Sequence, residues 1–249
     1  VVLGDDAAAG GGTITLDGGS ILRNAAGAVV TNALVIGSSG TLAGRLVVDV
    51  YATFAGPLSG GGPLAVTGLV SLANAGNAYT GAVTVRGGSF LRLAANDALL
   101  NNPVTLVGGE LTLNGGTTST VGSISGSAGR IFNQSALPAT LFIGAGDQSG
   151  SYGGRVGNGG GPMHIVKIGT GTQEFSTASA ISELYGSLVV QGGRLRLNGS
   201  GYAFNTAGGN VNGTPITVGP GATLDIVLGF NAGYSRLLNI AGGTLLITH

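Results

Sequence analysis

The sequence predicts an all-β protein, a parallel β-solenoid of roughly ten coils, on three observations. Glycine-led corners followed by short alternating apolar strands recur along the whole chain. They read "GGTITL" from Gly11, "SGTLAGRLVV" from Ser39, "GGPLAV" from Gly61, "GGSFLRL" from Gly87, "GGELTL" from Gly108, "GGRLRL" from Gly192, "GPGATLDI" from Gly219 and "GGTLLI" from Gly242. Within each cluster the spacing is 21 to 28 residues, the length of one solenoid turn. Composition agrees, with 51 glycines and only 8% charged residues, where an ordinary domain has about 7% glycine and about 25% charged.

Alternation puts Leu91 with Leu93, and Leu111 with Leu113, on one side of their strands, while glycine turns the corners without steric cost. A single coil buries little. Stacked at about 4.8 Å, ten or so coils bury a continuous aliphatic column in a rod roughly 50 Å long and satisfy their backbone groups through the next coil. Helix signals are nearly absent: "ANDALL" (95–100) is the one window that offers a helical turn. Folds that need long amphipathic helices between strands are thereby excluded. Regular Val, Leu and Ile runs exclude disorder, and the lack of a three-residue glycine period excludes collagen.

The chain reads as a single domain, 1–249, with tandem copies at approximately 61–113 and 164–226. Gly81 matches Gly186, and Gly87-Gly88 match Gly192-Gly193, at an offset of 105; "PVTL" from Pro103 matches "PITV" from Pro215 at an offset of 112. The seven extra residues fall in "GSGYAFNTAGGNVNG", an insertion at a corner of the kind a stack tolerates.

Ten basic residues balance ten acidic ones, so nucleic acid is not an expected partner. No apolar run approaches the roughly 20 residues of a membrane helix, and membrane insertion of this segment is not expected. The absence of cysteine fits an exported bacterial protein whose repetitive β-structure dispenses with disulfides.

Residues suited to chemistry are sparse. The acids Asp5, Asp6, Asp17, Asp49, Asp97, Glu110, Asp147, Glu174, Glu183 and Asp225 fall at about one per coil. Only Asp5 and Asp6 are adjacent, and neighbours on a strand point to opposite sides, which spoils them as an acid/base pair. A carbohydrate-active β-helix enzyme therefore stands as the remoter alternative. His164 reads as a packed or surface residue and His249 as terminal, so no metal, no cofactor and no Ser-His-Asp triad is expected.

"GAGDQSGSYGGRVGNGGG" (144–161) looks superficially like a phosphate-cradling loop, but it lacks the dinucleotide spacing and the lysine-serine ending. It reads as glycine-rich corners between two coils, and within it Asp147, Tyr152 and Arg155 are the candidate surface ligand contacts. Arg86, Arg92, Arg194 and Arg196 fall at equivalent corners of the two copies and read as an exposed row that discourages lateral aggregation, with a basic ladder for acidic glycans as the alternative. The sequons at Asn133, Asn198 and Asn212 read as corner asparagines.

"LFIGAGDQSGSYGGRVGNGGGPMHIVKIGTGTQEF" (141–175), followed by "GSLVVQGGRLRLNG", resembles the autotransporter-associated β-strand repeat of bacterial passenger regions. "KIGTGTQEF" from Lys167, "NAYTGAVTVRGGSFLRL" from Asn77 and "ALLNNPVTLVGGELTL" from Ala98 occupy its strand slots, and the similarity covers about residues 39–226. Two places depart from the pattern: "SELYGSLVV", and "VTGLVSLAN" without its lysine. The resemblance implies a right-handed parallel β-helix, extracellular or on the bacterial cell surface. It implies a structural rod or adhesive spacer without catalysis, because catalytic modules in such proteins are separate insertions.

The 249 residues include no C-terminal outer-membrane barrel of the family's kind and run to "GGTLLITH" inside a strand pattern, which reads either as a segment cut from a passenger or as a coil end that something else covers. An open coil end templates another copy, which makes a head-to-tail filament or sheath subunit the nearer alternative. The expected partners are thus the solenoid ends of another copy, and a glycan or a host or neighbouring surface.

Overall fold

Strand, glycine corner, strand: the chain repeats this unit three times per coil and so builds three sheet faces that it visits in turn. In the computed structural model the described residues are 2–3, 10–24, 29–44, 51–176, 186–199, 216–228 and 238–248. The first face is one parallel ladder of twelve strands. It runs through Val2–Leu3, Ser20–Asn24, Gly40–Ala43, Leu64–Thr67, Val83–Arg86, Pro103–Leu113, Ser123–Asn133, Gly150–Tyr152, Thr172–Phe175, Arg194–Gly199, Thr223–Leu228 and Thr244–Thr248. The stack is therefore a parallel β-solenoid, as the sequence predicts, slightly longer than ten coils on this face.

The second face pairs Val29–Val30, Ala52–Phe54, Leu69–Leu72 and Phe90–Leu93 with the later halves of Pro103–Leu113 and Ser123–Asn133, and then with Arg155–Asn158. Those two strands are 11 residues long because they bend through the corner without leaving the ladder. The third face is split in two. Ile14–Leu16, Leu34–Ile36, Leu58–Gly60 and Ala78–Tyr79 form its first part. Thr118–Val121, Ala139–Ile143, Met163–Lys167, Leu188–Val190, Ile216–Val218 and Leu238–Ile240 form its second.

The split falls where "ANDALL" offered a helical turn. The segment is a turn instead, with Asp97 at φ 48 and Ala98 and Leu99 buried. Asn102 bonds the coils here in place of a strand, its Nδ2 donating to the carbonyls of Tyr79 and Gly81 in the coil before, at 3.0 and 2.9 Å. Among the described residues the helical content is one 3-10 turn, Ala145–Asp147.

Inward side chains stack in register from coil to coil. On the first face one column is Leu64, Val83, Val104 and Ile124, then after Gly150 and Gln173 it resumes as Leu195 and Leu224. The column beside it passes from Val66, Val85 and Leu106 through Gly126 to Tyr152, Phe175, Leu197 and Ile226. The buried Tyr152 ring follows Gly126 in this column and meets Phe175 edge to face at 6.4 Å. Each buried aliphatic side chain in such a column stabilises the fold by about 1.5–3 kcal/mol relative to exposure.

The two sequence copies do not lie on matching faces. "VTVRGGSFLRL" runs from face one to face two, whereas its echo "LVVQGGRLRL" runs from face three to face one. Likewise "PVTL" begins a face-one strand, whereas Ile216–Val218 of its counterpart is a face-three strand. A strand, a glycine pair and a strand have the same local sequence at any corner, so the copies are displaced by one face.

Candidate functional site

The candidate segment 144–161 holds two strands between its corners, so it contains strands as well as the corners expected of it. Gly144 turns the chain at φ 113, Gly150–Tyr152 joins face one, and Arg155–Asn158 joins face two. Tyr152 is not a surface contact: it is fully buried in the inward column, and burial pushes its phenol pKa up, with the charge of Glu110 adding to the effect. Asp147 lies exposed at the corner between faces three and one, and Arg155 lies exposed on face two. The three residues are thus dispersed to a corner, the core and a different face, because successive strand residues alternate sides and the corner redirects the chain.

Asp147 ties its corner to the next coil. Its Oδ1 accepts a hydrogen bond from the Thr170 backbone N–H, one coil on, at 2.7 Å. That amide, then the Thr170 hydroxyl, and more weakly the Lys167 charge hold the carboxyl below its ordinary 3.8. A carboxyl whose folded pKa is depressed stabilises the fold above its unfolded value and loses that contribution as pH falls through the folded one. Asp147→Asn keeps a residue tolerant of positive φ but cannot titrate. In melting curves taken between about pH 5 and about pH 2, wild type is expected to lose more stability than Asp147→Asn, and equal losses would show that this corner is not coupled to acid unfolding.

Lys167 occupies an inward position on face three, in register with Ile143 below and Val190 above. Its side chain is fully buried, and Nζ donates to the carbonyls of Ile168, Gly169 and Gly192 at 2.5, 3.1 and 3.3 Å. Burial lowers its pKa from the ordinary 10.5, and the Asp147 charge opposes that shift. With three N–H groups on three carbonyls, the ammonium pins a corner and has no donor left for a ligand.

The four arginines singled out in the sequence do not form one row, and they sit on strands or at a strand end rather than at equivalent corners. Arg86 is exposed at the end of a face-one strand, Arg92 lies on face two, and Arg194 and Arg196 lie on face one. The one-face displacement of the copies accounts for the difference. Arg194 Nη2 donates to Asp225 Oδ2 at 2.7 Å, and Arg196 Nε stands 3.4 Å from the same oxygen. Arg196 also reaches Glu174 Oε2 at 3.8 Å, while Asn198 Nδ2 donates to Glu174 Oε1 at 3.0 Å. Glu174, Arg196 and Asp225 are register partners on three successive rungs, so the arginine stands between the two carboxylates and neutralises both.

The other described acids are bound into the stack in the same manner. Asp17 Oδ1 accepts from the Ser38 N–H at 2.8 Å, Asp97 Oδ1 accepts from the Thr120 hydroxyl at 2.7 Å, and Glu110 pairs with Arg130 at 3.4 Å. Asp5, Asp6, Asp49, Glu183, Asn212 and His249 lie outside the described residues. The Asn133 sequon is closed: the residue is buried and its Nδ2 donates to the carbonyls of Leu137 and Pro162, which is the corner role expected of it.

His164 has a neighbour that the sequence did not suggest. Its Nδ1 lies 2.8 Å from Ser187 Oγ and accepts the Ser187 backbone N–H at 3.1 Å, from the adjacent rung of face three. Accepting an N–H leaves that nitrogen unprotonated. Among the described residues no carboxylate is hydrogen-bonded to this histidine, and no group of three metal-binding side chains converges anywhere. No helix of the described residues is long and apolar enough to cross a membrane. No family model matches the chain, and neither does any curated protein or solved structure.

Proposed function

We propose that this chain is a structural rod or adhesive spacer of a bacterial surface or exported protein of passenger type, without catalysis of its own. The observation that carries this reading is the use made of acidic groups. Each carboxylate among the described residues ties one coil to another: Asp17, Asp97 and Asp147 bond a residue of the next coil, and Glu110, Glu174 and Asp225 pair with arginines of adjoining coils. Groups engaged in this manner serve the stack, and a substrate would have to displace their partners first. The repeat-like sequence of residues 39–226 supports the passenger type.

Two measurements test this reading. Mild proteolysis of intact source cells is expected to release fragments of the chain, and recovery only after lysis contradicts surface display. Incubation with acidic and neutral polysaccharides is expected to produce no new reducing ends; their appearance, abolished by Glu174→Gln, establishes the carbohydrate-active enzyme instead.

A self-assembling filament or sheath subunit is the second reading, and the last described coil is compatible with it. Ile240 and Ile247 continue inward columns from Val218 and Ile226, yet they are 39% and 53% exposed. Such a surface takes another coil, from more chain or from a second copy. In negative-stain images, filaments support this reading and short monodisperse rods exclude it.

A further inference from the structure

Four asparagine-glycine pairs occur in the chain, at Asn114, Asn158, Asn198 and Asn212. Asparagine is thermolabile, and a glycine after it removes the side chain that would hinder the backbone nitrogen from reaching the asparagine amide carbon. The stack treats the three described pairs differently; Asn212 lies outside the described residues. Asn198 and Gly199 belong to the Arg194–Gly199 strand, in register with Val227 and Leu228, and Asn198 Nδ2 donates to Glu174 Oε1 at 3.0 Å. Asn158 ends the Arg155–Asn158 strand opposite Asn133, and the Gly159 N–H that follows it donates to the Asn133 carbonyl at 2.9 Å. Asn114 stands just past the end of Pro103–Leu113, exposed, in the corner that leads to face three. Among the described residues nothing is hydrogen-bonded to its side-chain amide or to the Gly115 N–H.

Packing imposes the glycine at this corner. A Cβ at Gly115 would stand 2.2 Å from Ser135 Oγ and 2.6 Å from the Leu137 carbonyl oxygen, both on the next coil. The backbone on either side is engaged: the Asn114 N–H donates to the Leu93 carbonyl at 3.2 Å, the Gly116 N–H to the Pro138 carbonyl at 2.7 Å, and the Asn114 carbonyl accepts the Thr117 N–H at 3.2 Å. The corner therefore requires glycine after Asn114 and leaves the two groups that can react with each other unengaged at the surface.

We infer that Asn114 is a site of spontaneous covalent modification, at which the Gly115 backbone nitrogen attacks Asn114 Cγ and closes a succinimide ring. The attacking nitrogen gives its proton to water, the new N–C bond forms, and the side-chain nitrogen takes up a proton and leaves as ammonia. Water then opens the ring at either carbonyl, so the products are aspartate and isoaspartate, and water is the only co-reactant. One neutral amide becomes one carboxylate on a chain of zero formal net charge. In the isoaspartate the backbone runs through the former side chain and is one methylene longer, which draws the Asn114 carbonyl away from the Thr117 N–H and hydroxyl that it accepts. The rod reading does not require this site.

The test incubates the whole chain in mildly alkaline buffer, folded and in parallel unfolded in urea, and follows each asparagine peptide by mass spectrometry after digestion. Reaction at Asn158 or Asn198 first requires local opening of the stack, so in the folded chain Asn114 is expected to convert at least about tenfold faster than either. In urea the bonds that distinguish the three pairs are gone, and their rates are expected to fall within about threefold of one another. Asn114→Gln has to close a larger ring, and conversion at this position is expected to drop by about tenfold or more. The proposal is overturned if Asn114 in the folded chain keeps its amide while the unfolded chain loses it, if the folded chain prefers Asn114 no more than the unfolded chain does, or if Asn114→Gln converts as fast as wild type.

Discussion

Gly144→Ala is expected to be among the most damaging single methyls in the described stack. A Cβ at this residue would stand 2.0 Å from the Ile168 carbonyl oxygen and 2.9 Å from the Lys167 Nζ, in a backbone at φ 113 that L side chains rarely adopt. The clash falls on the next coil's backbone, so relief requires separating rungs, and the Lys167 corner opens with them. A loss of about 4 kcal/mol or more is expected, among the largest single-site effects. Gly88→Ala is the control: φ is +70 but nothing lies within 4 Å of the added carbon, so only the left-handed penalty of about 1–2 kcal/mol applies. Urea melts of the two variants settle the matter, and equal losses would mean that coil-to-coil contact adds nothing to backbone strain.

Gln173 is the second residue on which the stack depends heavily. It points into the core where Gly150, one rung below, contributes no side chain. Its amide reaches past that rung, with Nε2 donating to the Ile124 carbonyl at 2.9 Å and Oε1 accepting the Ile124 N–H at 3.1 Å. A side-chain amide thus stands in for a strand residue. Gln173→Leu leaves both groups of Ile124 without these partners in the interior, and a loss of about 3 kcal/mol is expected even with good apolar packing.

Gln173→Glu separates the two bonds. A carboxylate still accepts the Ile124 N–H but faces the Ile124 carbonyl with no proton to give, so its folded pKa must rise above the ordinary value of about 4.3. A raised acid pKa means that this variant regains stability as pH falls and loses it as pH rises. At about pH 4 the gap to wild type should narrow relative to about pH 7, the reverse of the Asp147 dependence. A gap that does not change with pH would contradict the bonding described.

The coil length and fold class were legible because glycine pairs and alternating leucines are local signals that survive at any face. Their face assignment was not. "GGSFLRL" and "GGRLRL" look equivalent, yet one enters face two and the other face one, since nothing local distinguishes one corner of a three-sided coil from another. That ambiguity grouped Arg92 with Arg194 and Arg196, which have different neighbours.

Tyr152 was misplaced among surface residues for a related reason. In "GSYGGRV" its neighbours are all small, and only register shows that it takes the inward slot between Gly126 and Phe175. Lys167 and Gln173 would each be read as outward by type. Both point inward because unpaired carbonyls of neighbouring coils await them, and those partners lie up to 49 residues away in sequence.

The claim on which everything else rests is the continuous stack, and distances along face one test it directly. The chain has no cysteine, so two introduced cysteines can be spin-labelled cleanly. Ile21, Ser151 and Leu246 are outward residues of one face-one register column, six rungs and then four rungs apart. At about 4.8 Å per rung, double electron-electron resonance is predicted to give roughly 29 Å for Ile21→Cys with Ser151→Cys and roughly 48 Å for Ile21→Cys with Leu246→Cys. Two similar short distances, or a second distance that does not exceed the first by about 19 Å, would contradict the stack.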